Sequence, residues 1–303
     1  AYEMCGRDWS SDVCSSDLFD HYGMTLIEVM SLTAVSCVIC MIGTLANVLL
    51  TIAVLLTREL RKRYTAVFLI SMSVTDTIIC AVYEAMYIYD INHGSSAVME
   101  KVRYRLGFCL LLASLNGQLT VTLDRFINIF YPYQYIALTN TRFVVLCAFF
   151  IQWFNAILLT LLSLLTSRPV FSVVYVAVIV IGLASLHISM YCAAQQHQRR
   201  IARQYPVVKQ QVLFVWNKST TVISMTLVAT LLCWVPIMIL PAVMSPSSPS
   251  FKRAVKVTLA FTTLSAAINP FIFFWRLKDF RTALVACLRG LYTVFHCDRA
   301  SNQ

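Results

Sequence analysis

The long hydrophobic stretches of this 303-residue sequence contain almost no charge, so the few polar residues inside them are candidates for chemistry. Asp76 lies in the middle of one such stretch. Burying a carboxylate there costs free energy, so Asp76 is a candidate functional residue. Asn47 and Asn269 are amides at comparable depth, and Ser114 adds a hydroxyl. Oxygen ligands of this kind suit a hard cation such as sodium. These residues predict a buried polar cluster whose carboxyl group is either protonated or bound to an allosteric sodium ion; no other cofactor is expected.

A second group of residues has the chemistry of a conformational switch. Asp124 and Arg125 are adjacent opposite charges at the end of an apolar stretch. The pair could simply make the end of the stretch soluble. If it has a further role, the carboxylate holds the arginine until a conformational change frees the arginine for a partner. Pro236 and Pro270 interrupt two further apolar stretches, and each removes one backbone hydrogen bond, which predicts a kink. Trp234 would place a bulky ring beside the first kink.

These residues must be positioned by membrane-spanning elements. The chain is 59% hydrophobic and only 13% charged, about half the charged share of a soluble domain. A span needs about 20 apolar residues, and in lipid the backbone must pair internally, which means helices. The sequence therefore predicts an all-α membrane protein, a seven-transmembrane helix bundle over residues 26–276. The seven apolar runs are Val29–Leu56, Thr65–Tyr89, Leu106–Leu123, Phe143–Thr166, Pro169–Gln196, Thr220–Met244 and Val257–Trp275.

The distribution of basic residues predicts the orientation. Most of the 24 Lys and Arg residues fall in the segments that lie inside if the N-terminus is outside. We therefore expect a multi-pass plasma-membrane protein with an extracellular N-terminus. The net charge of +10 then reflects topology and attraction to lipid headgroups, so membrane lipid is an expected partner and nucleic acid is not.

The two ends of the chain lie outside the predicted bundle. Residues 1–25 are expected to be an extracellular tail, but residues 8–18, DWSSDVCSSDL, resemble the translation of a common sequencing adapter; the alternative is a natural disordered tail. Residues 277–291 have apolar side chains on one face, which predicts a short amphipathic eighth helix on the membrane surface. Residues 292–303 would form a cytoplasmic tail. Cys287 and Cys297 are candidates for palmitoylation, the alternative being free thiols.

Taken in order and spacing, the polar residues resemble the signature set of rhodopsin-like G-protein-coupled receptors. That resemblance implies that an extracellular ligand shifts a two-state equilibrium. The sixth helix would swing outward about Pro236, and a heterotrimeric G protein would bind against Arg125. The residues that carry the resemblance are Asn47, Asp76, Asp124-Arg125-Phe126, Trp153, Tyr191, Cys233-Trp234-Val235-Pro236 and Asn269-Pro270.

One departure from the family pattern keeps a second function open. Phe273 stands where the family usually has tyrosine, and the missing hydroxyl is thought to help hold the active state. A non-coupling seven-helix receptor is therefore an alternative. A transporter is a further alternative, although no internal repeat is visible. An enzyme is not expected, since His187 is the only histidine within a span and no nucleophile or metal constellation accompanies it.

Further departures narrow the ligand. Glu100 replaces the cysteine that usually begins the conserved outer disulfide, and Leu183 replaces the usual proline of the fifth helix. These absences resemble the group that contains melanocortin, lysophospholipid, cannabinoid and adenosine receptors. Gly107 stands where amine receptors have a carboxylate, and Thr263 stands where opsins have the retinal lysine, so both of those ligand classes are disfavoured.

Basic residues are predicted at the outer mouth of the bundle. Arg103 and Lys256 match the positions where lysophospholipid receptors place cations against phosphate, so with Trp234 they are candidate ligand-binding residues. Ordinary snorkelling of both side chains toward the headgroups is the competing interpretation. A third is that nearby acids neutralise these cations or meet a basic peptide.

Overall fold

The computed structural model describes residues 24–58, 65–138, 141–166, 170–204, 225, 228–241, 243–245, 248–276, 281–282 and 284–285. Within these ranges all regular secondary structure is helical. Nearly all of the N-terminal tail, including residues 8–18, lies outside the described residues. So do most of the predicted surface helix at 277–291 and the whole of 292–303, with Cys287 and Cys297.

Seven helices follow the predicted apolar runs. Six of them are long and apolar enough to cross a membrane, and the described part of the sixth in order is a shorter apolar helix. This arrangement agrees with the predicted seven-helix bundle. The helices are α1 (Leu26–Leu56), α2 (65–93), α3 (Ala97–Phe130), α4 (141–166), α5 (Val170–Gln204), α6 (Val228–Pro241) and α7 (Pro249–Arg276), with a short helix, Pro132–Leu138, after α3.

α3 forms the centre of the bundle and α4 lies at its periphery. In the apolar window of α3, 72% of the residues are buried, against 18% in α4. Large side chains of α4 such as Leu161 and Leu165 are instead exposed on the outside of the protein. A contiguous apolar exterior of this kind marks a surface that contacts membrane. Polar residues of α3 therefore lie in the interior, where they can meet those of α2 and α7.

A tight turn joins α2 to α3. α2 ends at His93 because Gly94 has a φ of 69°, a conformation that glycine adopts without a steric penalty. Ser96 then begins α3 by accepting a hydrogen bond from the backbone N–H of Met99. The turn is so short that Asp90, in the last turn of α2, comes within reach of Arg103, in the second turn of α3.

Three helices contain a wide π-helical turn: Ile39–Gly43 in α1, Ile79–Tyr83 in α2 and Phe149–Phe154 in α4. The wide turns of α1 and α2 pack against each other, and α7 joins them there. A side chain at Gly43 would place its Cβ 2.6 Å from the Sγ of Cys80 and 2.9 Å from the Cβ of Ala267. Gly43 therefore permits the close approach of α1 to α2 and α7.

Two apolar clusters hold the bundle together. The central cluster surrounds Trp234 and includes Leu112, Leu115, Leu183 and Ala266, so it joins α3, α5, α6 and α7. A second cluster lies nearer the Arg125 end of the bundle, where Phe273 packs against it. Its buried members include Leu50, Val54, Leu69, Met72 and Val121.

Gly107 allows α3 to pack directly on the ring of Tyr83. A Cβ at Gly107 would overlap the Cε2 of that ring and lie 2.8 Å from its Cζ. We expect Gly107→Ala to lower the free energy of unfolding by about 1–3 kcal/mol, because this close packing leaves no room for a methyl group. Thermal unfolding of the purified chain measures the change.

Gly182→Ala is the matched control, since no heavy atom lies within 4 Å of a Cβ placed there. Alanine favours the helix by about 1 kcal/mol over glycine, so this variant should be as stable as the unmodified chain or more stable. Equal melting temperatures for Gly107→Ala and the unmodified chain would show that α3 does not pack on Tyr83 in this way.

Candidate functional site

Asp76 is the meeting point of three helices. The hydroxyl of Ser114 in α3 donates to its Oδ1 at 2.5 Å, and the Nδ2 of Asn269 in α7 donates to its Oδ2 at 2.8 Å. All three side chains are buried. The structure thus brings together three of the four residues of the predicted polar cluster, and each carboxylate oxygen accepts a hydrogen bond.

Asn47 takes a different role from the one that the sequence suggests. Its Nδ2 donates to the carbonyl oxygens of Gly43, at 3.0 Å, and of Ala266 in α7, at 3.1 Å. The hydroxyl of Ser73 in α2 donates to the carbonyl oxygen of Asn47 at 2.7 Å. Asn47 therefore ties α1 to α2 and α7 through the backbone, beside the Asp76 cluster.

Gln118, which sequence reasoning missed, extends this network to α6. Its Nε2 donates to the Oδ1 of Asn269 at 3.3 Å, and its Oε1 accepts a hydrogen bond from Thr230 of α6 at 3.1 Å. The available signal was its spacing, four residues after Ser114, which puts both on one face of α3. A continuous polar chain thus runs from Asp76 through Asn269 and Gln118 to α6.

Arg125 faces a small cavity at one end of the bundle. The cavity has a volume of about 40 Å³, space for one or two water molecules. α3, α5, α6 and α7 all contribute to its wall, whose polar and aromatic members include Gln118, His187, Thr230, Asn269 and Phe273. Gln118 and Asn269, which line this cavity, also belong to the hydrogen-bonded chain that leads to Asp76.

The neighbouring Asp124 is anchored by the segment after α3. The hydroxyl of Tyr135, in the short helix Pro132–Leu138, donates to the Oδ1 of Asp124 at 2.8 Å. Asp124 is buried and Arg125 is partly exposed. The predicted restraint of Arg125 by Asp124 stays a prediction, while the contact with Tyr135 shows that Asp124 fixes the segment that follows α3.

The two proline-containing segments are both packed against buried polar groups. In α6, the carbonyl oxygen of Cys233 accepts a hydrogen bond from Thr262 of α7 at 3.2 Å, three residues before Pro236. Trp234 is 4% exposed in the central cluster, and its Nε1 has no hydrogen-bond partner among the described residues. In α7, Pro270 is buried next to Asn269.

Tyr191 does not join the network. Its ring is 40% exposed on α5, and its hydroxyl accepts a hydrogen bond from the Nε2 of Gln195 on the same helix at 3.1 Å. The family resemblance makes Tyr191 part of the activation switch. To take that part, Tyr191 would need a rotation of α5 or of its own side chain.

The opposite end of the bundle contains a buried charge cluster. Asp90 of α2 forms ion pairs with Arg103 of α3, at 3.1 Å between Nη2 and Oδ2, and with Lys256 of α7. Tyr87 packs beneath the cluster, with both cationic groups within 6 Å of its ring centre, and its hydroxyl donates to the carbonyl oxygen of Lys256 at 2.7 Å. Ser95 donates a hydrogen bond to Asp90 from the adjoining turn.

This geometry corrects the snorkelling interpretation. Arg103 is 6% exposed and Lys256 is 7% exposed, so neither extends toward a headgroup layer. The physical reason is Asp90, whose carboxylate holds both cations inside the bundle; the sequence analysis included it only among the nearby acids. Two cations share the Asp90 carboxylate, and the Nε of Arg103 has no hydrogen-bond partner among the described residues.

We expect Asp90→Asn to lower the free energy of unfolding by about 3–5 kcal/mol, because it leaves two buried cations without a counter-charge. Combining it with Lys256→Met should recover part of the loss, since only one cation then remains. Thermal unfolding and the amount of folded protein at the cell surface are the measurements.

The exposed ion pair between Glu28 of α1 and Arg253 of α7 is the control for this experiment. Glu28→Gln should leave the melting temperature unchanged because water already screens that pair. If Asp90→Asn were no more damaging than Glu28→Gln, the buried cluster would not be an element of stability.

Comparison with known proteins agrees with this architecture. Residues 46–172 match the family model described as 7 transmembrane receptor (rhodopsin family). The chain is 23% identical to cannabinoid receptor 2 of Mus musculus over 275 residues, which cover 82% of this chain and 78% of the relative. It is also 23% identical to the receptor of that name from Rattus norvegicus, over 82% of this chain and 76% of the relative. The identity to the receptor from Homo sapiens is again 23%, over 84% of this chain and 78% of the relative.

The matches and the helical bundle point to the same class, and that class consists of signalling receptors rather than enzymes. Residues 46–172 of the chain thus resemble the rhodopsin family of seven-transmembrane receptors, and the similarity to cannabinoid receptor 2 extends over 82% of the chain.

Proposed function

We propose that this receptor activates a heterotrimeric G protein at its Arg125 end when a ligand binds at the Asp90 end. The Arg125 end would face the cytosol and the N-terminus the exterior, as the distribution of Lys and Arg predicts. The observation that carries the proposal is the polar chain from Asp76 to Thr230, which links the interior of the bundle to the wall of the Arg125 cavity.

The polar chain suggests how α6 could open the cavity. Thr230 and Arg125 line the same cavity, and Thr230 donates a hydrogen bond to Gln118 of α3. An outward movement of α6 would break this contact. A cavity of about 40 Å³ is too small for any segment of a G protein, so binding requires such a movement.

Pro236 gives α6 a place to bend. A proline inside a helix leaves one backbone carbonyl without its usual partner, and neighbouring hydroxyls commonly compensate. Pro236 frees the carbonyl group of Leu232, and Thr262 of α7 donates to the carbonyl oxygen of the adjacent Cys233. Movement of α7 would therefore change the bend of α6, which connects the outer half of the bundle to the cavity.

Removal of Arg125 tests G-protein activation directly. Arg125→Ala should abolish ligand-stimulated nucleotide exchange on purified heterotrimers, because Arg125 supplies the positive charge on the described wall of the cavity. Arg105→Ala is the matched control in the same helix; Arg105 lies near the opposite end and donates to Ser163 at 2.7 Å. Unchanged exchange in Arg125→Ala would contradict the proposal.

A non-coupling receptor is the second candidate, and Phe273 favours it. Phe273 packs against the apolar cluster at the Arg125 end and lacks the hydroxyl that the family usually carries there. No exchange on any heterotrimer for both the unmodified chain and Phe273→Tyr would favour this candidate. Exchange in Phe273→Tyr alone would show that the missing hydroxyl limits coupling.

For the ligand, we propose a lipid with an anionic headgroup that binds at the Asp90 cluster. The two cations that share the Asp90 carboxylate and the unpartnered Nε of Arg103 are the features that an anion would satisfy. Trp234 lies deeper in the apolar core and would contact the acyl chain. A neutral cannabinoid-type lipid is the comparison ligand, since the relatives are cannabinoid receptors.

Two lipids that differ only in the phosphate test this ligand class. Oleoyl lysophosphatidic acid should stimulate G-protein activation more strongly than monooleoylglycerol. Arg103→Ala or Lys256→Met should reduce the potency of the phosphate-bearing lipid by about tenfold or more, since one charge-assisted hydrogen bond contributes about 1.5–3 kcal/mol. Each variant leaves Asp90 with one cation, so the bundle should still fold.

Lys252→Ala is the control, because Lys252 is exposed one helical turn before Lys256. Equal potency of the phosphate-bearing lipid on Arg103→Ala and on the unmodified receptor would show that Arg103 does not bind an anionic headgroup. A response to basic peptides alone would show that the ligand is cationic.

The predicted sodium ion at Asp76 remains part of the proposal. Asp76 and Ser114 supply hard oxygen atoms of the type that sodium prefers, and water would complete the shell. When bound there, the ion would neutralise the carboxylate and strengthen the connection of α2 to α3.

A further inference from the structure

A second carboxyl group is buried in α2, between Asp76 and Asp90. Glu84 follows the wide turn Ile79–Tyr83 and has no exposed surface. Neither of its carboxylate oxygens has a hydrogen-bond partner among the described residues. It differs in this respect from Asp76 and Asp90, whose oxygens all meet donors or cations.

Two hydroxyl groups lie beside the Glu84 carboxyl group, that of Ser36 in α1 and that of Thr263 in α7. The Oγ of Ser36 is fully buried and also lacks a hydrogen-bond partner among the described residues. The hydroxyl of Thr263 donates its proton to the carbonyl oxygen of Ala260 at 3.1 Å, so its oxygen lone pairs remain available. Four hard oxygen atoms therefore converge from three helices.

No cationic side chain compensates the charge of Glu84 at this depth in the described part of the bundle. Arg103 of α3 and Lys256 of α7 are the basic residues closest to this level of the bundle. Both form ion pairs with Asp90, which lies nearer the end of the bundle than Glu84. The ring of Tyr87 lies against both of these cations. An unpaired buried carboxylate is strongly disfavoured, so Glu84 requires either a proton or a cation.

We propose that Glu84, Ser36 and Thr263 form a binding site for a small monovalent cation of the size of sodium, separate from the site at Asp76. Oxygen ligands without sulfur or nitrogen select a hard cation. A single carboxylate balances one positive charge. The contrast with Asp76 supports the choice, because the oxygens of Asp76 accept close hydrogen bonds from Ser114 at 2.5 Å and Asn269 at 2.8 Å, whereas the hydroxyl groups of Ser36 and Thr263 lie beside Glu84 without such close contacts.

Thermal unfolding of the purified chain, without ligand or G protein, tests the site. The melting temperature is followed as sodium chloride replaces choline chloride at constant ionic strength, with potassium chloride as a second probe. Sodium should stabilise the unmodified chain. Glu84→Gln, which keeps the shape and removes the charge, should raise the sodium concentration for half-maximal stabilisation by about tenfold or more.

Four further variants make the result specific to this site. Ser36→Ala should weaken the sodium effect while leaving the charge of Glu84 intact. Ser31→Ala is its matched control in α1, since Ser31 donates only to the carbonyl oxygen of Ile27 at 2.7 Å on the exposed face. Asp76→Asn should retain a sodium response that Glu84→Gln combined with Asp76→Asn loses.

Two outcomes would overturn the proposal. If Asp76→Asn alone removed the whole sodium response, Asp76 would be the only cation site. If sodium stabilised the unmodified chain and Glu84→Gln equally, the Glu84 carboxyl group would be protonated instead. Both results are independent of whether the receptor activates a G protein.

Discussion

The high cost of an uncompensated charge in an apolar bundle organises this receptor. α2 carries three acidic residues, and each draws different neighbours toward it. Asp76 is met by Ser114 and Asn269, Glu84 lies beside Ser36 and Thr263, and Asp90 holds Arg103 and Lys256. α1, α3 and α7 are thereby fixed around α2 at three successive depths. The apolar clusters fill the remaining space but do not by themselves specify which helices are neighbours.

The same arrangement connects the two ends of the molecule. Asn269 contacts both Asp76 and Gln118, and Gln118 contacts Thr230 on α6. α7 also contacts the Asp90 cluster through Lys256 and the bend of α6 through Thr262. A displacement of α7 at one end therefore reaches α6 by two routes. α4, with most of its apolar window exposed, takes little part in either route and serves as a wall toward the lipid.

The sequence was sufficient to predict the elements and the Asp76 cluster, because a carboxylate in the middle of an apolar run has few possible partners. It offered Asp90 only as one of the nearby acids that could neutralise Arg103 and Lys256, because Asp90 lies beyond the predicted second run, where an acidic residue normally reaches water. Only the turn at Gly94 and Ser96 shows that Asp90 points inward at Arg103. Gln118 was missed for a similar reason, since one amide in a long helix does not reveal which neighbours it faces. Asn47 has a suitable depth, but the close packing that Gly43 permits directs its amide to backbone carbonyl groups.

The wide turn of α2 has a consequence for comparing this receptor with its relatives. A π-helical turn takes up more residues than an α-helical one, so every position after Tyr83 is rotated about the helix axis relative to a regular helix. Residues that align in number beyond this point need not face the same direction in a protein whose second helix is regular. The ligand-contacting face of α2 must therefore be assigned from three-dimensional superposition, and an equivalence drawn by counting from Asp76 would put the wrong side chains in the binding region.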